Sequence, residues 1–297
     1  MNENLITEIF IDVDDFYTSF GQELNKKTLD FNNAYRDKKG QLSMSEIMTI
    51  EIMFHYSRFR TFKDYYLRFV LLEGKKYFPK TVSYNRFVEL SQRIVFPLAM
   101  YLITRRFGDS TGIAFIDSTK IIVGNVKREK QLKVFKNIAA KSKDSVGWFY
   151  GFKLHIVINH IGELIGVCLS PANTDDRSIA IIDKITHFLT GLLFGDKGYI
   201  SSGLTTYLFE KGIRLVTKIK KNMKNILMSP VEKLLLRKRA VIESVNDYLK
   251  NVFYIEHTRH RSHNNFFSNL FSGLIAYTFA PKKPSISLDF LPEIIPN

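Results

Sequence analysis

Cysteine is nearly absent: Cys168 stands alone in 297 residues. An internal disulfide is therefore impossible, and a cysteine-based zinc cluster is excluded. Cys168 lies in the apolar run ELIGVCLS, where a free thiol acts as a small buried hydrophobe. Long apolar runs are missing too; none reaches the roughly 20 residues of a spanning helix. The opening MNENLITEIF has no basic segment leading into an apolar one, so it lacks a signal-peptide layout. The expectation is a soluble, cytoplasmic protein with no membrane partner. There is no internal repeat and no low-complexity segment. Apolar residues make up 45% and charged residues 24%, which provides for a real core and argues against disorder. The length suits two domains, or one large domain with an appendage.

Acid is scarce where base is plentiful. The net charge is +14. Residues 120–143 carry Lys120, Lys127, Arg128, Lys130, Lys133, Lys136, Lys141 and Lys143 against the single acid Glu129. Residues 214–224 hold Arg214, Lys218, Lys220, Lys221 and Lys224 and no acid. RKR at 237–239 and HTRHRSH at 257–263 follow. Every cluster falls after residue 119, which reads as a footprint for a polyanion, most often nucleic acid.

The pattern changes near residue 110. Before it, three segments have helical spacing. SMSEIMTIEIMFHYSRF opens with a capping box, Ser43 to Glu46. TFKDYYLRFVLLEG ends near Gly74, and SYNRFVELSQRIVFPLAMYLITRRFG starts at Ser83 and is interrupted at Pro97. Carrying Arg58, Arg60 and Arg86, these helices suit a helix-turn-helix-like DNA reader, or a plain bundle. After Gly112, GIAFID is a strand ending on Asp117, followed by a basic, strandless stretch to Gly147. GFKLHIVIN and ELIGVCLS form a hairpin across HIG. NTDDRSIAIIDKITHFL is a helix capped by Asn173 or Thr174, GLLFGD a buried strand, and SSGLTTYLFEKG a helix closed by Gly212. IRLVTKI is a strand, and VEKLLLRKRAVIESVNDYLKN one long helix. The order implies an α/β fold, one mixed sheet with flanking helices, preceded by an all-helical domain. The expected domains are 1–110, helical and DNA-binding, and 111–297, catalytic, with a basic insertion at 120–147 and C-terminal helices.

Function in such sheets collects at strand ends, where Asp117 and Asp196 both fall. Two neighbouring carboxylates repel unless a cation lies between them. The long helix offers a third acid: Arg239, Glu243, Asn246 and Lys250 fall within about 60° of one another, opposite Leu235, Val241, Ile242, Val245 and Leu249. Taken alone, that stripe is equally a solvated charge ladder. Three oxygen ligands and a basic channel suit Mg²⁺ and in-line phosphoryl transfer across two metals.

FIDST at 115–119, GDKGY at 195–199 and the run Arg239-x3-Glu243-x6-Lys250 resemble the three motifs of DDE transposases, insertion-sequence enzymes with an RNase H-like fold. Asp117 and Asp196 are 79 residues apart, and Asp196 and Glu243 are 47 apart. GWFYGFKLHIVIN and IEHTRHRSHNNFFSNLFSGLIAYTF resemble blocks of the bacterial insertion-sequence family numbered nine-eighty-two. The resemblance spans roughly residues 1–280. It implies Asp117, Asp196 and Glu243 as metal ligands for Mg²⁺, with Mn²⁺ as substitute, and Arg239 and Lys250 as basic partners on DNA. It implies cleavage at terminal inverted repeats, joining to target double-stranded DNA, a homodimer on DNA and a nucleoid-associated place in a bacterial cytoplasm. Related enzymes often have Tyr where Leu236 stands, which removes any tyrosine-dependent end contact. Two other functions fit the same residues: an RNase H-like nuclease that never joins strands, and a non-enzymatic DNA-binding repressor built on the N-terminal helices.

Further DNA contacts are expected from Lys197, from Lys153 and His155 on one strand face, and from Arg259 and Arg261 among His257, His260 and His263. That histidine series lacks zinc-site spacing. Trp148 and Phe149 read as core, or as a stacking platform for an unpaired base. Asp175 and Asp176 read as helix N-terminal acids, with a fourth acid near the site as the alternative.

Overall fold

The computed structural model describes residues 3–28, 41–144, 146–218, 228–256 and 260–288. The chain divides into two compact units, residues 1–106 with 253–279 and residues 107–252 with 280–297.

The first unit is helical. Helix α1 (Glu3–Thr28) buries Ile6, Ile9, Val13 and Phe16, recurring at steps of three and four that form one face. Helix α2 (Met44–Phe54) starts with the expected capping box: the Glu46 N–H donates to Ser43 Oγ at 3.1 Å, and the Ser43 N–H donates to Glu46 Oε2 at 2.6 Å. Arg58 and Arg60 lie in the turn leading to α3 (Phe62–Tyr65), which runs on as a wider turn through Val70. Helix α4 (Tyr84–Leu90) is capped by Ser83, and its Arg86 pairs with Glu89 at 2.8 Å. The chain breaks at Ser91–Ile94, not at Pro97. Pro97 sits in the first turn of α5 (Val95–Tyr101), where the missing N–H leaves no helical bond unmade. By length and composition the run Tyr84–Arg106 is apolar enough to cross a membrane. Within the unit, however, its Leu98, Tyr101 and Leu102 are core, and the Tyr101 hydroxyl donates to Asp12 at 2.6 Å.

The second unit is a mixed sheet of six strands. Strand β1 (Ile113–Gly124) is central. Along one side it pairs antiparallel with β3 (Trp148–Asn159), the first arm of the expected hairpin, whose second arm is β4 (Leu164–Pro171). On its other side lie β5 (Gly191–Gly195) and β6 (Ile213–Thr217), both parallel. This is the RNase H-like arrangement, an antiparallel hairpin joined to parallel strands through one shared strand. Helices α6 (Ile179–Ile185) and α7 (Ser202–Glu210) pack Ile182, Ile185, Leu204 and Leu208 onto Ala114, Ile116 and Leu193 of the sheet. Gly212, at φ +75, closes α7 as expected.

The structure departs from the sequence expectations in four places in this unit. Strand β1 continues seven residues past Asp117, because Ser118–Gly124 pair with β3 although β5 has ended. The basic insertion is not strandless: β2 (Ala140–Lys143) pairs with the start of β3. Phe135 anchors that insertion, fully buried edge-on to Phe152, a burial that contributes about 2–3 kcal/mol. Helix α6 begins after Ser178, not at Asn173 or Thr174, so Asp175 and Asp176 precede it in a turn. The long C-terminal helix is two: α8 (Pro230–Lys238), opened by a Ser229–Glu232 capping box, and α9 (Ala240–Asn251), with Arg239 at the joint.

The last helix, α10 (His263–Thr278), packs on α2 and α5 in the helical unit. Its Phe266, Leu270, Leu274 and Tyr277 repeat at helical spacing and are buried. Residues 253–279 thus lie with the first unit, whereas the expected second domain ran unbroken to residue 297.

Candidate active site

The sheet brings the two aspartates together. In the parallel ladder Phe115 of β1 is opposite Phe194 of β5. Two residues further along each chain come Asp117 and Asp196. Strand β5 ends at Gly195, so Asp196 leaves the sheet as the first residue of a turn. Its Oδ1 accepts the Gly198 N–H at 2.7 Å. A side chain on residue 198 would start 2.8 Å from that oxygen, so any residue but glycine here would push the carboxylate aside.

Asp117 is mostly buried, and its carboxyl is raised to about 6. Burial is the main cause, opposed by Arg239 and reinforced by Asp196 and then Glu243. Asp196 and Glu243 therefore both act on Asp117. Asn246 of α9 donates from Nδ2 to Asp117 Oδ2 at 2.9 Å. Arg239 lies between two of the acids, with Nη2 2.5 Å from Glu243 Oε1 and Nη1 3.9 Å from Asp117 Oδ1. Its own side chain is largely buried, while that of Glu243 is 58% exposed. The apolar face of α9 explains the placement: Ile242, Val245 and Leu249 are fully buried, which turns the polar stripe toward β1. Lys250, from the same stripe, donates to the Lys120 carbonyl at 2.6 Å.

Tyr199 lies beneath the aspartates, 2% exposed. Burial holds its hydroxyl well above the ordinary tyrosine range, with Asp117, Asp176 and Asp196 adding to the effect. Asp176 therefore belongs to this neighbourhood, although the sequence reading favoured a helix-terminal role for it. Its Oδ1 accepts from Lys153 Nζ at 3.2 Å and lies 3.7 Å from His155 Nδ1. Asp175 is instead held by Arg177.

These contacts change two expectations about DNA. His155 is fully buried, with Nε2 2.8 Å from Ser170 Oγ. Burial, with some help from Lys153, pushes it down to about 4 against the pull of Asp176, so it is neutral at pH 7. It presents nothing to a phosphate. Lys153 is committed to Asp176 and the Thr174 carbonyl. Lys197 is exposed beside Asp196, and Lys127, Arg128, Lys130, Lys133 and Lys136 are exposed on the insertion. Trp148 is 64% exposed, whereas Phe149 is buried. Arg261 is exposed, but in the helical unit; Arg259, His257, Lys220, Lys221 and Lys224 lie outside the described residues.

The donor set is carboxylate oxygen only, which suits a hard divalent cation. Asp117 and Asp196 supply two such carboxylates from just beyond the parallel pairing of β1 with β5. Glu243 fits only on releasing Arg239, and among the described residues no three Asp, Glu, His or Cys side chains are already gathered for a metal. Asn246 was expected in the polar stripe but without a role. Its position three residues after Glu243, on the Arg239 side of α9, was the available signal.

Residues 107–263, more than half of the chain, match the family described as Transposase DDE domain. No curated protein matches. Among solved structures, the Mos1 strand transfer complex is similar at 14% identity and a TM-score of 0.24, over 86% of this chain and 82% of that one. The Mos1 transposase paired-end complex with left transposon end is similar at 12% identity and a TM-score of 0.24, over 88% and 86%. At such TM-scores the likeness adds nothing to the fold already described.

Proposed function

The chain belongs to the transposase DDE domain family, and on that premise we propose that it cuts DNA at the terminal inverted repeats of an insertion sequence and joins the freed ends to target DNA. The observation that supports this best is that Asp117 and Asp196 follow the last pair of the parallel ladder at the same distance, with Asp196 and Glu243 both acting on the Asp117 carboxyl. We assign the element to the insertion-sequence family numbered nine-eighty-two, and the helical unit to end binding as a homodimer on DNA.

Asp117, Asp196 and Glu243 would hold two Mg²⁺ ions, or Mn²⁺ in their place, which when bound activate the attacking water or 3′-hydroxyl and stabilise the departing 3′-oxygen. The protein's own part is positional. Asn246 fixes one oxygen of Asp117 and leaves the other facing Arg239. Arg239 offsets the charge of Asp117 and Glu243 and is near enough to turn from Glu243 to a phosphate. Lys197 and the exposed insertion lysines draw the DNA backbone in. Lys250 anchors α9 to β1 through the Lys120 carbonyl.

The test uses duplexes copied from the DNA flanking the coding sequence. Asp117→Ala, Asp196→Ala and Glu243→Ala should each abolish Mg²⁺-dependent cleavage and leave duplex binding within about threefold. Cleavage at the wild-type rate by any of the three overturns the assignment.

A further inference from the structure

The helical unit holds a cavity of about 530 Å³ that the site in the sheet does not use. Its floor is polar and buried: Glu51 of α2 is 6% exposed, Ser91 3% and Asn269 of α10 3%. Its walls include the rings of Phe62 and Tyr84, and exposed Lys63 and Arg261 stand at its mouth.

The floor has an unmet demand. Asn269 Nδ2 is buried without a hydrogen-bond partner among the described residues. Leaving such a donor unmet is unfavourable, so it calls for water or a ligand. Burial raises the Glu51 carboxyl to about 8, opposed only by a hydrogen bond from Ser91, so the group is neutral at pH 7. A neutral carboxylic acid offers one donor and one acceptor side by side, as does an amide.

This chemistry narrows the ligand. A cation finds no anion in the floor, a bare anion leaves the Glu51 acceptor and the two rings unused, and an apolar group leaves the floor unpaired. A flat heterocycle with a donor and an acceptor along one edge fits all three layers. Phe62 and Tyr84 offer ring surface for its faces, Glu51 and Asn269 offer hydrogen bonds for its edge, and Lys63 and Arg261 offer charge for its phosphate. We propose that the cavity receives one nucleobase turned out of the DNA on which the protein acts. This rests on DNA being the substrate, and it adds a base-reading pocket separate from the carboxylate site.

The test uses the full chain and flanking-sequence duplexes in which 2-aminopurine replaces one base at successive positions. Binding should change the emission at one position only, and an abasic site there should weaken binding about tenfold, the scale of one stacked base. Asn269→Leu and the isosteric Asn269→Asp should both lose the position-specific emission change, and the abasic substitution should no longer matter to them. Circular dichroism confirms that at least one of the two is folded. If the duplex binds but no position changes, or both variants keep the change, the cavity is a water-filled structural feature and the proposal fails while DNA remains the substrate. A response to free deoxynucleoside monophosphates with none to the duplex overturns the DNA source. Failure to bind any duplex overturns both this proposal and the reading it rests on.

Discussion

Each unit buries an acid, and the two acids are held differently. In the sheet, Asp117 is raised to about 6 by burial, with Arg239 pulling it back and two further carboxylates pushing it up. In the helical unit, Glu51 is raised to about 8 by burial with only a serine hydrogen bond to oppose it. Burial acts on both; neighbouring charge distinguishes them. Arg239 keeps Asp117 near an ionised state that a divalent cation can use, whereas Glu51 stays a neutral hydrogen-bonding group. The first environment suits phosphoryl chemistry and the second suits recognition of an uncharged edge.

The comparison can be broken most forcefully at Asp117 and Asp196. Alanine at either should lower the cleavage rate at least about 1,000-fold while melting stays near wild type. The matching change in the helical unit, Glu51→Gln, should leave the chemistry intact and alter the response of stability to pH. Because the folded state holds this proton more tightly than the unfolded chain, the stabilisation is full below the ordinary value of 4.5 and is lost as pH rises toward about 8. Urea unfolding of the wild type should show a decline of up to about 1.4 kcal/mol per pH unit across that window, absent in Glu51→Gln. A parallel decline in both proteins would show that Glu51 is not the titrating group.

A smaller effect tests how Asp117 is positioned. Asn246→Leu should slow cleavage about 10- to 100-fold with unchanged duplex affinity, since the hydrogen bond to Asp117 is lost but no DNA contact is. Equal losses in affinity and rate would instead make Asn246 a DNA contact. The smallest effect sets the baseline: Arg86→Ala removes an exposed pair with Glu89 and should change stability by about 0.5 kcal/mol or less.

Much of the sheet was legible because burial writes a period into strands. The hairpin over 151–171 and the buried run before Asp196 carry their pattern openly. The second half of β1 does not: Ser118, Thr119 and Lys120 are polar, and their pairing with β3 is a tertiary fact. β2 was hidden by alternating lysines for the same reason. The three acids of the site were visible as motifs at set spacing, but their neighbours were not. His155 alternates with apolar residues like a surface-facing group, and only the position of Ser170 on β4 and of Asp176 shows that it is enclosed. The Glu51 cavity joins α2, α4 and α10, the first and last more than 200 residues apart in sequence, so no local pattern announces it.

The central claim is that Asp117, Asp196 and Glu243 act as one DNA-joining site. The most direct measurement is strand transfer with pre-cut ends carrying a free 3′-hydroxyl, because it separates joining from hydrolysis. The wild-type chain should form joined product with Mg²⁺, and each alanine variant should form none at concentrations that saturate the DNA. Wild-type joining by Asp117→Ala, or cleavage without any joining by the wild-type chain, would contradict it.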